Sequence, residues 1–533
     1  MEAIYQTFDF SPLTTEETSS LLKHAAKLDQ VREMLMKTEQ DSLQSLELVD
    51  TIQRLGLCHH FKDEIEYVLH HQYSAHNSND GLLEASLRFR LLRQHGCQVI
   101  ADDFFGQFLR SGELKLGDGL VGETTRGLVA MHEASHLNTG GEEILREAAV
   151  FSSLWLNANK ATICLDDELE RMVNFGLSFP QHKIVAGFTA KSYLQFVSDD
   201  NHVLRELAEF EFAYTESLHK HEILQVVEWW KRLGLSDELK SSRNQPLKWH
   251  VWSMAILRNP RLSEHRVMLT KPISLVYVVD DIFDLYGTIH ELTLFTQAVK
   301  RWDVCDELPS YMKTCLNAIY ETTNEISSFV YREHGWNPIH FLKTEWGSLM
   351  DAFLVEGKWL RKGEVVKAEE YLKNGVISSG VPMVLSHLFL LMGNPLSHQT
   401  QTLLTDPNGL THSVAKLLRL LDDLGSAKDE EQIGLDGSYI EFYMKEGKAK
   451  SREEAREEVM NMVSETWENI NKHGLSSTSP FSAGFRRACL NAARMVPTMY
   501  TYDEDHRLPL LKHHLQTMFA DPAFAKALLS WQS

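Results

Sequence analysis

The stretch Ile273-Ser-Leu-Val-Tyr-Val-Val279 is apolar, and it runs straight into Asp280-Asp281-Ile282-Phe283-Asp284. In a helix Asp280 and Asp284 stand one turn apart on one face, where two carboxylates reach a single hard cation. Asp281 points about a quarter-turn away. Burying unpaired anions costs several kcal/mol each, so this apolar helix with an acidic end marks a site rather than a core element. A second acidic face follows downstream. Leu417-Leu-Arg-Leu-Leu421 leads into Asp422-Asp423-Leu-Gly-Ser-Ala-Lys-Asp-Glu430, and Asp422, Ser426 and Glu430 fall at i, i+4 and i+8. Each step of four drifts only about 40° around a helix, so the three oxygens form a ladder. Two such helices face to face make an oxygen-lined mouth suited to Mg²⁺, which keeps waters and shares ligands with a phosphorylated substrate.

On these residues the chain resembles the plant terpene synthases of the ionisation-initiated class. Asp280-Asp-Ile-Phe-Asp284 is similar to their aspartate-rich motif, and Asp422, Ser426 and Glu430 to their second metal motif, (N/D)DxxSxxxE. Leu87-Arg-Phe-Arg-Leu-Leu-Arg-Gln-His-Gly96, Leu269-Thr-Lys-Pro-Ile273 and Glu356-Gly-Lys-Trp359 extend the resemblance over nearly the whole chain. It implies an all-α protein of two helical domains, an N-terminal α-barrel-like scaffold at 1–202 and a C-terminal catalytic α-bundle at 203–533. The metal ligands it implies are Asp280, Asp284, Asp422, Ser426 and Glu430, holding three Mg²⁺ with Mn²⁺ as a substitute. Asp281 and Asp423 are expected to orient those ligands or pair with bases.

The resemblance also assigns the groups around the substrate. Arg419, three residues before Asp422, would hold the diphosphate with a bidentate fork. Arg243 stands where the family carries an Arg-x-Arg pair, but Arg243-Asn244-Gln245 lacks the second arginine, and Gln245 donates only neutral hydrogen bonds. Trp252 resembles the cavity tryptophan that faces cationic charge. Tyr500 and Tyr502, before Asp503-Glu-Asp-His-Arg507, resemble a shortened C-terminal lid. Phe283 is expected to pack rather than react. The interruption Ser378-Ser-Gly-Val-Pro382 would be a helix break lining the active site.

Composition narrows the field. A chain of 533 residues exceeds one ordinary core. The formal charge of -21 argues against a nucleic-acid partner. Six scattered cysteines without CxxC pairing are expected as free thiols in a reducing compartment. There is no run of 18 or more apolar residues, so no membrane span is expected. The N-terminal text suits a cytoplasmic protein, with a plastid location if a transit peptide was trimmed. A monomer is expected.

Helical periodicity dominates the first half: Thr14 onward through Leu35, Ser42 to Leu55, Phe61 to Leu69, Leu82 to Arg93, Val99 to Leu109 and Ile144 to Leu156. A domain boundary is expected near Ser198–His202, followed by a connecting helix leading to Trp229-Trp230. His132-Glu133-Ala134-Ser135-His136 matches the zinc-peptidase pattern HExxH, with Glu142, Glu143 or Glu147 as third ligand, but its wording resembles an ordinary family helix. His59-His60 and His70-His71 are expected to be surface or core residues, because no compact four-ligand spacing surrounds them.

Absences guide the product. No DxDD stretch occurs in the N-terminal half, which leaves that domain as a scaffold, and the Arg-Arg-x8-Trp signature of many cyclic-monoterpene synthases is missing. Arg243-Asn-Gln-Pro-Leu-Lys-Trp249 resembles the linalool and nerolidol synthase branch. The expected reaction ionises geranyl or farnesyl diphosphate and quenches the cation with water to an acyclic alcohol. A cyclising synthase, a prenyl chain-elongating transferase and a non-enzymatic helical scaffold are the alternatives.

Overall fold

A computed structural model describes residues 15–74, 80–109, 121–303, 305–362, 366–426, 438–503, 507–521 and 524. Among the described residues every regular element is helical. Two compact units result: Met1–Ser217 with Leu475–Ser477 and His514–Phe524, and Leu218–Gly474 with Thr478–His513 and Ala525–Ser533. The division falls inside one helix, His202–Leu233.

In the N-terminal unit the 3.6-residue apolar period yields Thr15–Lys37, Leu43–Arg54, Lys62–Ser74, Leu82–Gln94, Ala101–Leu109, Val121–Ser135 and Glu143–Ala158. Ser42 caps its helix by accepting from the Ser45 amide. Leu46, Val49, Ile52, Phe89, Leu91, Leu92, Leu128 and Met131 are buried. The arginines of the Leu87–Gly96 stretch are buried as well, each against an acid. Arg88 meets Asp80 and Glu84, Arg90 meets Asp50, and Arg93 meets Glu142. Burial is tolerated because each guanidinium is paired.

The second unit is built on long helices, including Pro246–Ile256, Ser263–Asp281, Ile339–Lys362, Leu410–Ser426 and Ala483–Tyr500. Pro246 begins its helix where a missing N–H costs nothing. Ala368–Ser378 and Val381–Leu391 are separated by Gly380 at φ 72°. A Cβ there would lie 2.5 Å from Val276 Cγ1, so both the left-handed backbone and the close approach require glycine. Together 368–391 is long and apolar enough to cross a bilayer, with mean hydropathy 1.4, but 72% of the window is buried within the protein. It is a core element. All six cysteines are free thiols.

A buried carboxylate holds the wall behind the site. Glu222 accepts from Arg266 Nε at 3.0 Å and lies 3.0 Å from His219 Nδ1 and 3.3 Å from His250 Nε2. His250 Nδ1 bonds the Thr270 hydroxyl at 2.8 Å. The helices carrying Glu222, His250 and Arg266 are thereby locked together. Burial lowers His219 to about 4, against the pull of Glu222, so it stays neutral. Removing Glu222 strands the buried Arg266 cation. We expect Glu222→Ala to cost about 3–5 kcal/mol in denaturant unfolding, and Glu222→Leu/Arg266→Met to recover most of it.

Candidate active site

The helices Pro246–Ile256, Ser263–Asp281, Val381–Leu391, Leu410–Ser426 and Ala483–Tyr500 meet around a cavity of about 290 Å³. Arg243, Gln245, Lys248, Asp280, Arg419 and Asp422 supply its polar lining, and Trp252, Ile256, Ile273, Val276, Val384, Leu385, Val414, Val496 and Met499 much of the apolar lining. Helix register separates the two kinds. Val276 and Ile273 lie one and two turns before Asp280, Leu418 and Val414 one and two turns before Asp422, and Ile256 lies at the far end of the helix that starts beside Arg243. Charge gathers at the helix ends and hydrocarbon along their lengths. The helix break contributes Ser378, Ser379, Gly380 and Val381.

Arg243 ties down the first acidic face. Its amide and Nε donate to Asp281 at 2.7 and 2.8 Å, and its Nη2 donates to Asp280 and, at 3.2 Å, to the Tyr277 carbonyl. Burial opposes the Arg243 charge, but Asp280 and Asp281 outweigh it and hold the guanidinium above its ordinary pKa. Asp281 is 5% exposed and faces Arg243, whereas Asp280 lines the cavity.

After Asp281 the backbone changes register. Ile282–Tyr286 forms a π turn, with the Gly287 amide bonded to the Ile282 carbonyl at 3.0 Å. Arg361 Nη2 donates to the Phe283 and Gly287 carbonyls at 2.7 and 2.9 Å, which stabilises that turn from a neighbouring helix. Asp284 lies within it, exposed, and is not among the cavity-lining residues. Phe283 is 1% exposed and stacks on Phe353, with centroids 5.5 Å apart.

On the second face Arg419 Nη1 lies 3.7 Å from both Asp422 and Asp423 and 3.4 Å from the Tyr371 hydroxyl. Asp423 accepts from Tyr371 Oη at 3.1 Å and from the Tyr439 amide at 2.8 Å. Burial pushes Asp423 up to about 7, with Arg419 pulling the other way. Arg419 Nε is buried without a hydrogen-bond partner. Ser426 ends its helix and its side chain lies outside the described set, as does Glu430 altogether.

Trp252, 6% exposed, donates its indole N–H to Tyr277 Oη at 3.2 Å, and its ring lies 6.4 Å from Tyr500 between centroids. With its N–H engaged, Trp252 has its ring to offer a cation. Beyond Tyr500 the Asp503 amide bonds the Arg507 carbonyl at 3.0 Å.

Lys248 escaped the sequence reading. It lies one helical turn before Trp252 and lines the same cavity, and that spacing was the available clue. No described acid pairs with its Nζ within 4.0 Å. Burial and the neighbouring Arg243 lower its ammonium to about 8, with Asp422 opposing. The peptidase-like pattern assembles differently from a zinc site. Glu133 is 1% exposed and paired with Arg54, while Glu142 and Glu143 pair with Arg93 and Arg146.

Residues 231–469 match the terpene synthase family, metal binding domain, and residues 3–177 match the terpene synthase N-terminal domain. The chain belongs to the terpene synthase family. It is an Mg²⁺-dependent carbon–oxygen lyase acting on prenyl diphosphates. Probable terpene synthase 4 of Ricinus communis is 44% identical over 94% of this chain and 90% of its own length. The (E)-nerolidol synthase TPS18VF of Cannabis sativa is 42% identical over 92% of this chain and 91% of its own. The chloroplastic S-(+)-linalool synthase of Arabidopsis thaliana is 42% identical over 92% and 87%. Among solved structures, isoprene synthase from grey poplar, in complex with three Mg²⁺ ions and dimethylallyl-S-thiolodiphosphate, superposes with TM-score 0.84 at 31% identity, covering 94% of this chain and 97% of that one.

The donors suit Mg²⁺: the acids lining this cavity, Asp280 and Asp422, offer hard oxygen, and Arg243, Lys248 and Arg419 line the same cavity. Gly425 joins the second face to the aromatic corner, because a Cβ there would stand 2.6 Å from the Tyr500 carbonyl oxygen. We expect Gly425→Ala to displace the Tyr500–Tyr502 segment, cost about 1–3 kcal/mol and lower kcat at least as much as it raises KM, as measured by steady-state diphosphate release.

Proposed function

We propose that this terpene synthase converts geranyl or farnesyl diphosphate to the acyclic tertiary alcohol linalool or nerolidol. The observation that carries the reading is one cavity with acids and bases at its helix ends and hydrocarbon along its depth. Asp280, Asp284, Asp422, Ser426 and Glu430 would hold Mg²⁺, three ions by analogy with the poplar complex, and Mn²⁺ would substitute. When bound, the metal supplies positive charge that makes diphosphate a better leaving group.

The chain's own residues do the rest. Arg419, Arg243 and Lys248 bind and orient the diphosphate as the allylic C–O bond breaks, its electron pair leaving with oxygen. Trp252 and the apolar lining exclude water from the hydrocarbon tail and face the cation. Water adds at the tertiary carbon and loses a proton, giving the alcohol and inorganic diphosphate. Gln245 supports early quenching, since one cationic fork fewer is available to retain diphosphate beside the cation. The nerolidol and linalool synthases among the relatives support the product class.

The domain division at 1–202 and 203–533, a monomeric state and a cytoplasmic site of action belong to the same proposal. The chloroplastic relative makes plastids the alternative compartment, which a fluorescent fusion of the full-length gene product distinguishes.

Gas chromatography with each prenyl diphosphate and Mg²⁺ should give linalool and nerolidol, and a predominantly cyclic product would overturn the acyclic assignment. Asp280→Ala should lower diphosphate release roughly hundredfold or more with far-ultraviolet circular dichroism unchanged. Lys248→Met should lower kcat/KM about ten- to hundredfold, as expected for a lost hydrogen bond between charged groups, with Lys248→Arg retaining most activity. Wild-type kinetics in Lys248→Met would make that residue packing only.

A further inference from the structure

The N-terminal unit carries a polar cluster that the lyase reaction leaves unused. His24, from the Thr15–Lys37 helix, and His59 and His60, from the short 3₁₀ turn Cys58–His60, converge on Glu211 of the His202–Leu233 helix. His60 Nε2 lies 2.7 Å from Glu211 Oε1, His24 Nε2 lies 3.3 Å from the same oxygen, and His59 Nε2 lies 3.7 Å from Oε2. The ligand atoms of His24, His60 and Glu211 all fall within 4.8 Å of one another. The cluster is sheltered. Glu211 is 9% exposed at its side chain, His24 11%, and His59 and His60 about a fifth.

The orientation of the His59 ring suits a cation at the centre. His59 Nδ1 faces the Gly56 carbonyl at 3.3 Å, which turns its Nε2 toward Glu211. That arrangement, one ring nitrogen against a backbone carbonyl and the other facing the site, is how metal-ligating histidines are oriented.

We propose that His24, His59, His60 and Glu211 form a binding site for one Zn²⁺-class ion. Three imidazoles and one carboxylate are a four-ligand set that zinc accepts and magnesium does not favour. With metal–ligand distances of about 2.0–2.2 Å, tetrahedral ligand atoms stand roughly 3.3 Å apart, so His24, His60 and Glu211 need only modest adjustment to close around the ion, while the His59 ring must swing further to complete the set. The ion ties three chain segments that are distant in sequence and stabilises their packing without entering the lyase chemistry. The linear sequence hides this site because its ligands come from positions 24, 59–60 and 211, not from one compact motif.

The test uses full-length protein without a histidine tag, in an Asp280→Ala/Asp284→Ala background that weakens metal binding at the catalytic acids. After chelator treatment, Co²⁺ should bind at one equivalent with the visible absorption of a tetrahedral nitrogen–oxygen site, Zn²⁺ should displace it, and Zn²⁺ should raise the thermal midpoint. His59→Gln/His60→Gln should abolish the band and the Zn²⁺-dependent shift. In the otherwise wild-type chain the same pair should leave Mg²⁺-dependent turnover unchanged. Absence of a stoichiometric Co²⁺ band in the chelator-treated protein overturns the proposal even if the histidine variants fail to fold. So does an undiminished band in His59→Gln/His60→Gln, which would put the ion elsewhere.

Discussion

The pairing of Arg243 with Asp281 and Asp280 is the interaction on which the first acidic face depends. Asp281 is almost fully withdrawn from solvent at the end of an apolar helix, and a lone carboxylate there would unfold the helix end or stay protonated. Two donors from Arg243 meet it, one from the backbone and one from the guanidinium, so the charge is both neutralised and aimed. Asp281 engages the arginine so that Asp280 can face the cavity. On the other helix the division of labour recurs: Asp423 is buried against Tyr371 and the Tyr439 amide, and Asp422 lines the opening.

That arrangement has a stiff backing. Glu222, Arg266, His219 and His250 form a solvent-free polar knot among the helices that present Lys248, Trp252, Val276 and Asp280. Such a knot contributes little net stability over an apolar replacement, but its geometry is unforgiving and fixes helix register. Preorganisation of this kind is what electrostatic catalysis requires.

The helical fold and the acidic helix ends were legible because both rest on local pattern. Apolar residues at a 3.6-residue period located Leu43–Arg54, Leu82–Gln94, Ala101–Leu109 and Glu143–Ala158 within one or two residues of their expected ends, whereas Lys62–Ser74 runs five residues past Leu69 and Val121–Ser135 went unread. The position of Asp284 was less legible. Ideal α geometry puts it directly above Asp280, but a π turn, whose carbonyls the sequence-distant Arg361 holds, changes the backbone register after Asp281. Lys248 was passed over for a different reason: a lysine beside two tryptophans reads as a surface residue until the helix is packed and its stem is found along the cavity wall. Ligands scattered over nearly two hundred residues, like the histidine cluster, have no periodicity to betray them.

The break at Gly380 bears on how such a chamber changes over time. Backbone, not side chain, forms the chamber's boundary there, pressed against Val276 with no room for even one methyl group. That boundary is a fixed mould edge, whereas Ile256, Ile273, Val384 and Met499 are interchangeable inserts. New product shapes are therefore reached by trading those apolar inserts, while the hinge and the charged entrance stay as they are.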